Sequence, residues 1–191
     1  MLSKHTSSGT GHFHAVRFYK DADSLSRIVA NFVAQGLAEG APGIVIATPA
    51  HRDAICRSLE ALSVDVAGAT RNSDLFLLDA DETLEAFMHD GMPDVRRFNE
   101  TLIPVIEKAC GVRKDCVVRA YGEMVDVLWK EGRTVAATRL EMLWNDLAAS
   151  HSFSLLCGYS MGNFYKDAAV DDICSHHTHV VSEAGEATFV E

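Results

Sequence analysis

The sequence predicts an α/β fold in which a mostly parallel sheet is covered by helices on both faces. Apolar runs of strand length alternate along the chain with helical patterns, as they do in βαβ units. The runs are continuously apolar, which is typical of strands buried on both faces. The chain has 191 residues, 48% of them apolar, and this length and composition predict one domain with one core.

The elements follow from the spacing of apolar residues. Continuous apolar runs predict five buried strands, at 13–19, 43–48, 75–80, 116–121 and 153–159. Apolar residues at helical spacing predict helices over 25–33, 55–62, 84–88, 95–109, from about 123, over 140–147 and over 165–174. Pro104 lies inside one of these patterns and predicts a kink or a break there. Short runs at 179–181 and 188–190 predict late edge strands.

Composition and charge exclude several classes of protein. The formal net charge of −10 and the lack of a basic run argue against binding to nucleic acid or to a membrane surface. No apolar run approaches the ~20 residues that cross a bilayer, and the N-terminus lacks a signal-peptide stretch. We expect a flexible leader at 1–11, the domain at 12–181, and a tail or edge strand at 182–191. Five scattered cysteines without a C-x-x-C pair predict free thiols in a cytoplasmic protein.

Sequence motifs for nucleotide binding and nucleophilic catalysis are missing. The loop after the first strand, YKDADSLSR, has no glycine, and the carboxylates of Asp21 and Asp23 would repel phosphate. One of these two aspartates is better interpreted as a helix N-cap. Ser160 lacks the flanking glycines of a nucleophile elbow, and a pairing of Cys157 with a histidine stays open. We therefore predict no cofactor and favour a protein that is not an enzyme.

Ligands of such sheets bind beyond the carboxyl ends of the strands, so polar residues there are candidates. Arg119 and Glu123 flank one strand end, and an arginine on an inner strand needs a partner. That partner is either a carboxylate such as Glu141 or Asp79, or an anionic ligand. The polar residues expected at this edge are Tyr19, Lys20, Asp21, Thr48, His51, Asp79, Asp81, Arg119, Tyr121, Glu123 and Tyr159.

The histidines and one helical face provide further candidates. His176, His177 and His179 are weak candidates for metal ligands, because the cysteines show no complementary spacing and a zinc site needs three or four ligands. We predict no metal, and a hydrogen-bonded or pH-sensitive surface cluster is the alternative. Glu141 and Asn145 share a helical face, whereas Trp144 lies on the apolar stripe and is expected mainly to pack in the core.

Six segments carry a resemblance to a known family. They are HAVRFYKDADSL, GIVIATPAHRDAI, LFLLDADETLEAFMHDGMPD, VVRAYGEMVDVLWKEG, LEMLWNDLAASHSFSLLCGYSM and ICSHHTHVV, in this order. Together, over residues 12–181, they resemble the MEDS family of sensory domains, named for methanogens, methylotrophs and the regulator DcmR. The resemblance implies a RecA/KaiC-like fold whose phosphate loop is lost, with VVRAYGE in place of the strand that would carry the Walker B acid.

The resemblance also implies a function. It implies the sensing of a small molecule such as a hydrocarbon derivative, in a pathway with a histidine kinase or a DNA-binding regulator. The chain has no kinase core and no helix-turn-helix signature, so we expect either that its output passes through another protein or that the domain acts alone. A homodimer is open. Carried over by matching motif, the candidate ligand-binding residues are His14, Phe18, Tyr19, Asp79, Arg119, Gly122, Glu123, Glu141, Trp144, Asn145, Tyr159 and His179, and Tyr121 joins them from the residues at the strand ends.

We therefore expect a stand-alone sensory domain that binds a small molecule or a signalling partner. Arg119 would hold an anionic or polar ligand group, and Glu123 and Asn145 would orient it. Tyr19, Trp144 and Tyr159 would supply apolar walls. Two alternatives stay open: a protein-interaction adaptor without a ligand, and an enzyme that uses Glu123 as general base in a former ATPase pocket.

Overall fold

The fold is built on one seven-stranded sheet. A computed structural model describes residues 13–163 and 167–190. The strands of the sheet are β1 (His14–Tyr19), β2 (Gly43–Ala47), β3 (Leu75–Asp79), β6 (Val118–Gly122), β7 (Phe153–Ser160), β8 (His179–Val181) and β9 (Ala187–Phe189), and a separate hairpin holds β4 (Met88–His89) and β5 (Met92–Pro93). Their order across the sheet is β3-β2-β6-β7-β1-β8-β9. All neighbours are parallel except β8 and β9, so the predicted mostly parallel sheet is confirmed.

Eight helices connect the described strands. They are α1 (Ala22–Ala38), α2 (Pro49–Ala61), α3 (Val66–Arg71), α4 (Ala80–Phe87), α5 (Val95–Cys110), α6 (Met124–Lys130), α7 (Thr134–Ala148) and α8 (Asp167–Ser175). Asp21 is the N-cap of α1 and accepts from the Ser24 backbone N–H at 2.7 Å, as the sequence predicted. The helix α5 continues through Pro104, so the expected break there is wrong. The short α3 and the hairpin were not predicted, because elements of a few residues have little periodicity.

Helices cover both faces of the sheet. On one face, α1, α2 and α3 pack over a core that contains Leu25, Val29 and Leu59. On the other, α4 to α8 enclose the larger core around Phe98 and Trp144. This double coverage explains why the strands are continuously apolar, since both of their faces are dry.

The cysteines differ from the sequence-based expectation. The structure joins Cys110 and Cys116 in a disulfide, so the prediction that all five thiols are free is wrong. Cys110 ends α5 and Cys116 precedes β6, and the turn between them brings their Cα atoms to 5.6 Å, a usual spacing for a disulfide. Cys56, Cys157 and Cys174 are free thiols. A turn brings the pair together, which cysteine spacing alone does not indicate.

The ends of the chain bear on the predicted boundaries. The leader expected at 1–11 lies outside the described residues. At the other end, β9 pairs antiparallel with β8 and is an edge strand, as expected. The same expectation for 179–181 is wrong, because β8 also pairs with β1 and so lies inside the sheet. None of the helices within 13–163 and 167–190 combines the length and apolar character that crossing a bilayer requires.

Candidate functional site

Polar side chains gather at the carboxyl end of the parallel strands, where the connections diverge. The strand β2 leads to β3 on one side, whereas β6 leads to β7 on the other. The crevice between the ends of β2 and β6 is therefore a switch point, the place where open α/β sheets bind ligands. Thr48 follows β2 and Glu123 follows β6, so these two residues meet across the crevice.

Glu123 joins the two strand ends. One carboxylate oxygen accepts from the backbone N–H and the hydroxyl of Thr48, each at 2.7 Å. The other lies 2.7 Å from His51 Nδ1 and accepts from the Tyr121 hydroxyl at 2.8 Å. Glu123 is 1% exposed, and Thr48 is the N-cap of α2, where the helix dipole favours a negative charge. With four donors around it, this buried carboxylate is well compensated.

Asp126 joins the neighbouring strand ends in the same way. It accepts from the Tyr19 hydroxyl at 2.8 Å and from the Ser160 backbone N–H at 2.9 Å, and so connects β1 with β7. Lys130 Nζ lies 2.6 Å from this carboxylate and 3.3 Å from the Tyr19 hydroxyl. Asp126 is buried, but the Lys130 side chain is 46% exposed. Together these residues form the rim: Tyr19, Thr48, His51, Tyr121, Glu123, Asp126 and Lys130.

The rim fixes the charges of its members. The hydrogen bond to Glu123 raises the pKa of His51 above its usual value, against the opposing effect of burial. Burial alone would raise the pKa of Glu123, but the bonds from His51 and Thr48 lower it overall. Burial raises the pKa of Tyr19 and Tyr121, and the nearby carboxylates add to this effect. At neutral pH the tyrosines are therefore hydrogen-bond donors and Glu123 is a carboxylate.

We expect the contribution of the His51–Glu123 pair to stability to depend on pH. Because the pKa of His51 is raised on folding, this contribution is complete below about pH 6.5 and disappears as the pH rises through the raised value. Because the pKa of Glu123 is lowered on folding, it is complete above about pH 4.5 and disappears as the pH falls through the lowered value. The negative charge of Asp126 also raises the pKa of His51, and the positive charge of Lys130 lowers it.

The measurement is the free energy of unfolding of the protein and of His51→Gln at several pH values. The difference between the two proteins should be largest in the window from about pH 4.5 to 6.5 and should fall on either side of it. A difference that is constant from about pH 5 to 9 would contradict the ion pair.

A second polar group, the inner cluster, lies inside the fold and consists of His14, Glu141, Cys157 and His177. These residues come from β1, α7, β7 and the segment after α8, and all four are buried. His14 Nε2 lies 3.2 Å from Glu141 Oε2 and 3.3 Å from Cys157 Sγ. His177 Nε2 lies 3.4 Å from Glu141 Oε1. The two imidazole rings are 4.2 Å apart, centre to centre.

Neighbouring groups orient the inner cluster. The Tyr159 hydroxyl donates to Glu141 Oε1 at 2.8 Å. Asn145 Oδ1 lies 2.9 Å from His14 Nδ1, and the Asn145 amide donates to the His176 carbonyl at 3.0 Å. His177 Nδ1 lies 2.7 Å from the Ile173 carbonyl. Both Nδ1 atoms therefore face acceptors and carry the hydrogen, which directs both Nε2 atoms towards Glu141.

The electrostatics of the inner cluster centre on Glu141. Burial alone would raise its pKa, but His177 and His14 hold it well below the usual value. The pKa of His177 is raised overall, because the negative charge of Glu141 and the contact with the Ile173 carbonyl outweigh the effect of burial. Burial, together with Glu141, raises the pKa of Cys157 and Tyr159 well above their usual values. Glu141 is thus a buried anion on which the other polar groups of the cluster depend.

The predicted site residues separate into three groups. Tyr19, Tyr121 and Glu123 meet at the rim, and His14, Glu141, Asn145 and Tyr159 meet at the inner cluster. Four others, Asp79, Arg119, Trp144 and His179, lie in neither group. Of the last two candidates, Phe18 has its ring centroid 6.1 Å from that of Tyr159, and Gly122 ends β6 directly before Glu123.

Arg119 lies away from the rim, and its expected place beside Glu123 is wrong. It is the second residue of β6, so about 13 Å of extended chain separates it from Glu123. Its guanidinium pairs with Glu39 at 3.2 Å and lies over the Phe32 ring at 5.1 Å. Its partner is therefore neither Glu141 nor Asp79. The strand is only five residues long, and Arg119 lies near its beginning.

The other three have structural contacts of their own. Asp79 is the N-cap of α4 and lies 3.5 Å from Arg52. Trp144 packs edge-on against Phe98, as expected of a core residue. The His179 ring packs at a tilt against the rings of Phe13 and Phe189, with centroid distances of 4.7 and 4.4 Å.

The sequence did not indicate two residues of the rim, Asp126 and Lys130. It indicated two residues of the inner cluster, Cys157 and His177, only weakly. Asp126 and Lys130 are four residues apart on α6, directly after a polar strand end, and this spacing was the available signal. No local signal connects Cys157 with His177, which lie on different elements.

Comparisons with known proteins agree with this architecture. A KaiC-like protein from the hyperthermophilic archaeon Pyrococcus horikoshii OT3 matches with a TM-score of 0.55 and 11% identity, over 87% of this chain and 70% of that chain. At this identity the match shows the fold, which is KaiC-like. No curated protein matches the sequence significantly. The family model of the MEthanogen/methylotroph, DcmR sensory domain matches residues 13–178. The chain therefore belongs to the MEDS family of sensory domains.

Proposed function

We propose that this sensory domain binds a small polar or anionic molecule at the rim and passes the signal to a partner protein in the cytoplasm. The observation that carries the proposal is that two basic side chains of the rim are partly exposed, whereas the two carboxylates they contact are buried. Glu123 and Asp126 are each 1% exposed and accept hydrogen bonds within the rim. The Lys130 and His51 side chains are 46% and 17% exposed. The rim lies at the switch point of the sheet, where ligands of such folds bind.

The charge of the rim supports an anionic or polar ligand. The hydrogen bond to Glu123 raises the pKa of His51 and so favours its protonated form beside the ammonium group of Lys130. A ligand carboxylate or other polar group would receive hydrogen bonds from both. These two residues replace Arg119 in the role of ligand anchor.

The same geometry favours recognition over catalysis by Glu123. A general base needs a free lone pair directed at the substrate and a pKa near the working pH. The oxygens of Glu123 accept from Thr48, His51 and Tyr121, and its pKa is lowered. The signal would pass to a histidine kinase or a transcription regulator, in line with the sensory family.

The proposal is tested by thermal shift and native mass spectrometry with small carboxylates, phosphates and nucleotides as probes. We expect at least one probe to raise the melting temperature and to be retained as a complex. Lys130→Gln should weaken that complex about tenfold or more, since a hydrogen bond to a charged group contributes about 1.5–3 kcal/mol.

Arg119→Ala is the matched control, because it removes a partly exposed basic side chain distant from the rim. This variant should bind the probe as the unchanged protein does. Equal losses in both variants, or none in Lys130→Gln, would place the ligand elsewhere. Binding of none of the probes would contradict the proposal and favour the adaptor.

A further inference from the structure

The inner cluster has the donor set and the spacing of a metal centre. His14 Nε2, His177 Nε2, Cys157 Sγ and a Glu141 oxygen all lie within 4.8 Å of one another. Glu141 Oε2 lies 3.2 Å from His14 Nε2 and 3.6 Å from Cys157 Sγ, and these two atoms are 3.3 Å apart. The other carboxylate oxygen, Oε1, lies 3.4 Å from His177 Nε2. Bonds of about 2.0–2.3 Å to a tetrahedral ion place the ligand atoms about 3.3–3.8 Å apart. The side chains are therefore arranged nearly as a four-coordinate ion would hold them.

Both imidazoles present the correct nitrogen. The Asn145 amide donates to the His176 carbonyl, so its oxygen faces His14 Nδ1 and fixes the hydrogen there. The Ile173 carbonyl does the same for His177 Nδ1. In the neutral rings the Nε2 lone pairs then converge on Glu141. Carbonyl and amide acceptors behind a histidine are the usual outer contacts of metal-binding imidazoles.

One of the four ligand atoms of the inner cluster has no hydrogen-bond partner among the residues that the structure describes. His177 is 6% exposed, and its Nε2 lacks hydrogen-bond geometry to any of the described residues, although Glu141 Oε1 is 3.4 Å away. Burying an unpartnered polar atom is costly. A cation between the four side chains would satisfy this nitrogen.

Charge also balances at the inner cluster. A Glu141 carboxylate and a Cys157 thiolate contribute two negative charges, and the two neutral imidazoles add none. A divalent cation makes the group neutral, which suits a position where all four side chains are buried. Binding of the ion releases the thiol proton of Cys157 to solvent.

We propose that His14, Glu141, Cys157 and His177 form a closed, four-coordinate site for Zn²⁺. One sulfur, two imidazole nitrogens and one carboxylate oxygen suit this ion in tetrahedral geometry, whereas Mg²⁺ and Ca²⁺ take oxygen ligands. The four ligands come from β1, α7, β7 and the segment that leads into β8. The ion would fasten these elements to one another, independently of any ligand at the rim.

The test begins with the full chain after removal of metal with a chelator. Titration with Zn²⁺ against a chromophoric competitor should show about one ion per chain. Replacement by Co²⁺ should give the strong visible bands of a tetrahedral complex and a thiolate-to-cobalt charge-transfer band. Asn145→Ala should weaken Zn²⁺ binding about 10–100-fold through loss of the contact behind His14.

Two matched pairs of variants locate the site. Cys157→Ser should abolish the charge-transfer band, whereas Cys174→Ser should retain it. His177→Gln should release Zn²⁺, whereas His176→Gln, in which only the side chain of the neighbour changes, should not. If the Cys157 or His177 variant fails to fold, the Co²⁺ spectra of the unchanged chain and of Cys174→Ser decide the question. No uptake of Zn²⁺, or a Co²⁺ complex without the thiolate band, would overturn the proposal, and the rim could still bind its ligand.

Discussion

Glu141→Ala should be the most damaging single change, with a loss of about 3–5 kcal/mol in the free energy of unfolding. Glu141 is 1% exposed and is approached by the Tyr159 hydroxyl and by both imidazoles of the inner cluster. Removing the carboxylate leaves these groups buried without their anion. The measurement is urea unfolding in the presence of a chelator, so that metal binding does not contribute.

Glu39→Ala is the control for this change. It also removes one carboxylate from an ion pair, but Glu39 lies at the surface, where its partner is Arg119. Such pairs contribute about 0–1 kcal/mol. Similar losses in the two variants would contradict the view that Glu141 compensates the inner cluster.

Glu123→Ala is expected to have the second largest effect, a loss of about 3 kcal/mol, because several buried donors lose one acceptor. Thr48, His51 and Tyr121 all donate to this carboxylate. It also joins the ends of β2 and β6, so hydrogen exchange should accelerate at the start of α2. Unfolding in denaturant measures the first effect, and amide exchange measures the second.

Tyr121→Phe is the graded control. It removes one of the four donors and leaves the carboxylate held by the other three, so the expected loss is about 1 kcal/mol. An equal loss in the two variants would mean that Glu123 acts mainly through Tyr121. Unchanged exchange at the start of α2 in Glu123→Ala would contradict its role in joining the strands.

Much of the fold could be predicted because it is recorded in local patterns. The five apolar runs correspond to β1, β2, β3, β6 and β7, and the helical patterns between them correspond to most of the helices. The predictions that failed concern a proline inside a helix and the pairing of cysteines, two features that local sequence rules describe incompletely. Pro104 lies inside α5 without breaking it, and Cys110 pairs with Cys116 across a turn.

The site was predicted only in part. The carboxyl ends of the strands were expected to be polar, and Tyr19, Tyr121 and Glu123 do meet there. Arg119 was placed with them because it is close to Glu123 in the sequence. Because an extended strand rises about 3.3 Å per residue, the four positions between Arg119 and Glu123 place the two residues far apart along β6.

The sequence by itself determined the class of fold, the absence of phosphate-loop and nucleophile-elbow motifs, and the resemblance to a sensory family. These depend on periodicity and on short motifs, which are local. Only the tertiary structure decided which polar residues meet. His14 and Cys157 are 143 positions apart, yet they touch because β1 and β7 are neighbours in the sheet. Contacts of this kind depend on the order of the strands, which the pattern of any one segment does not record.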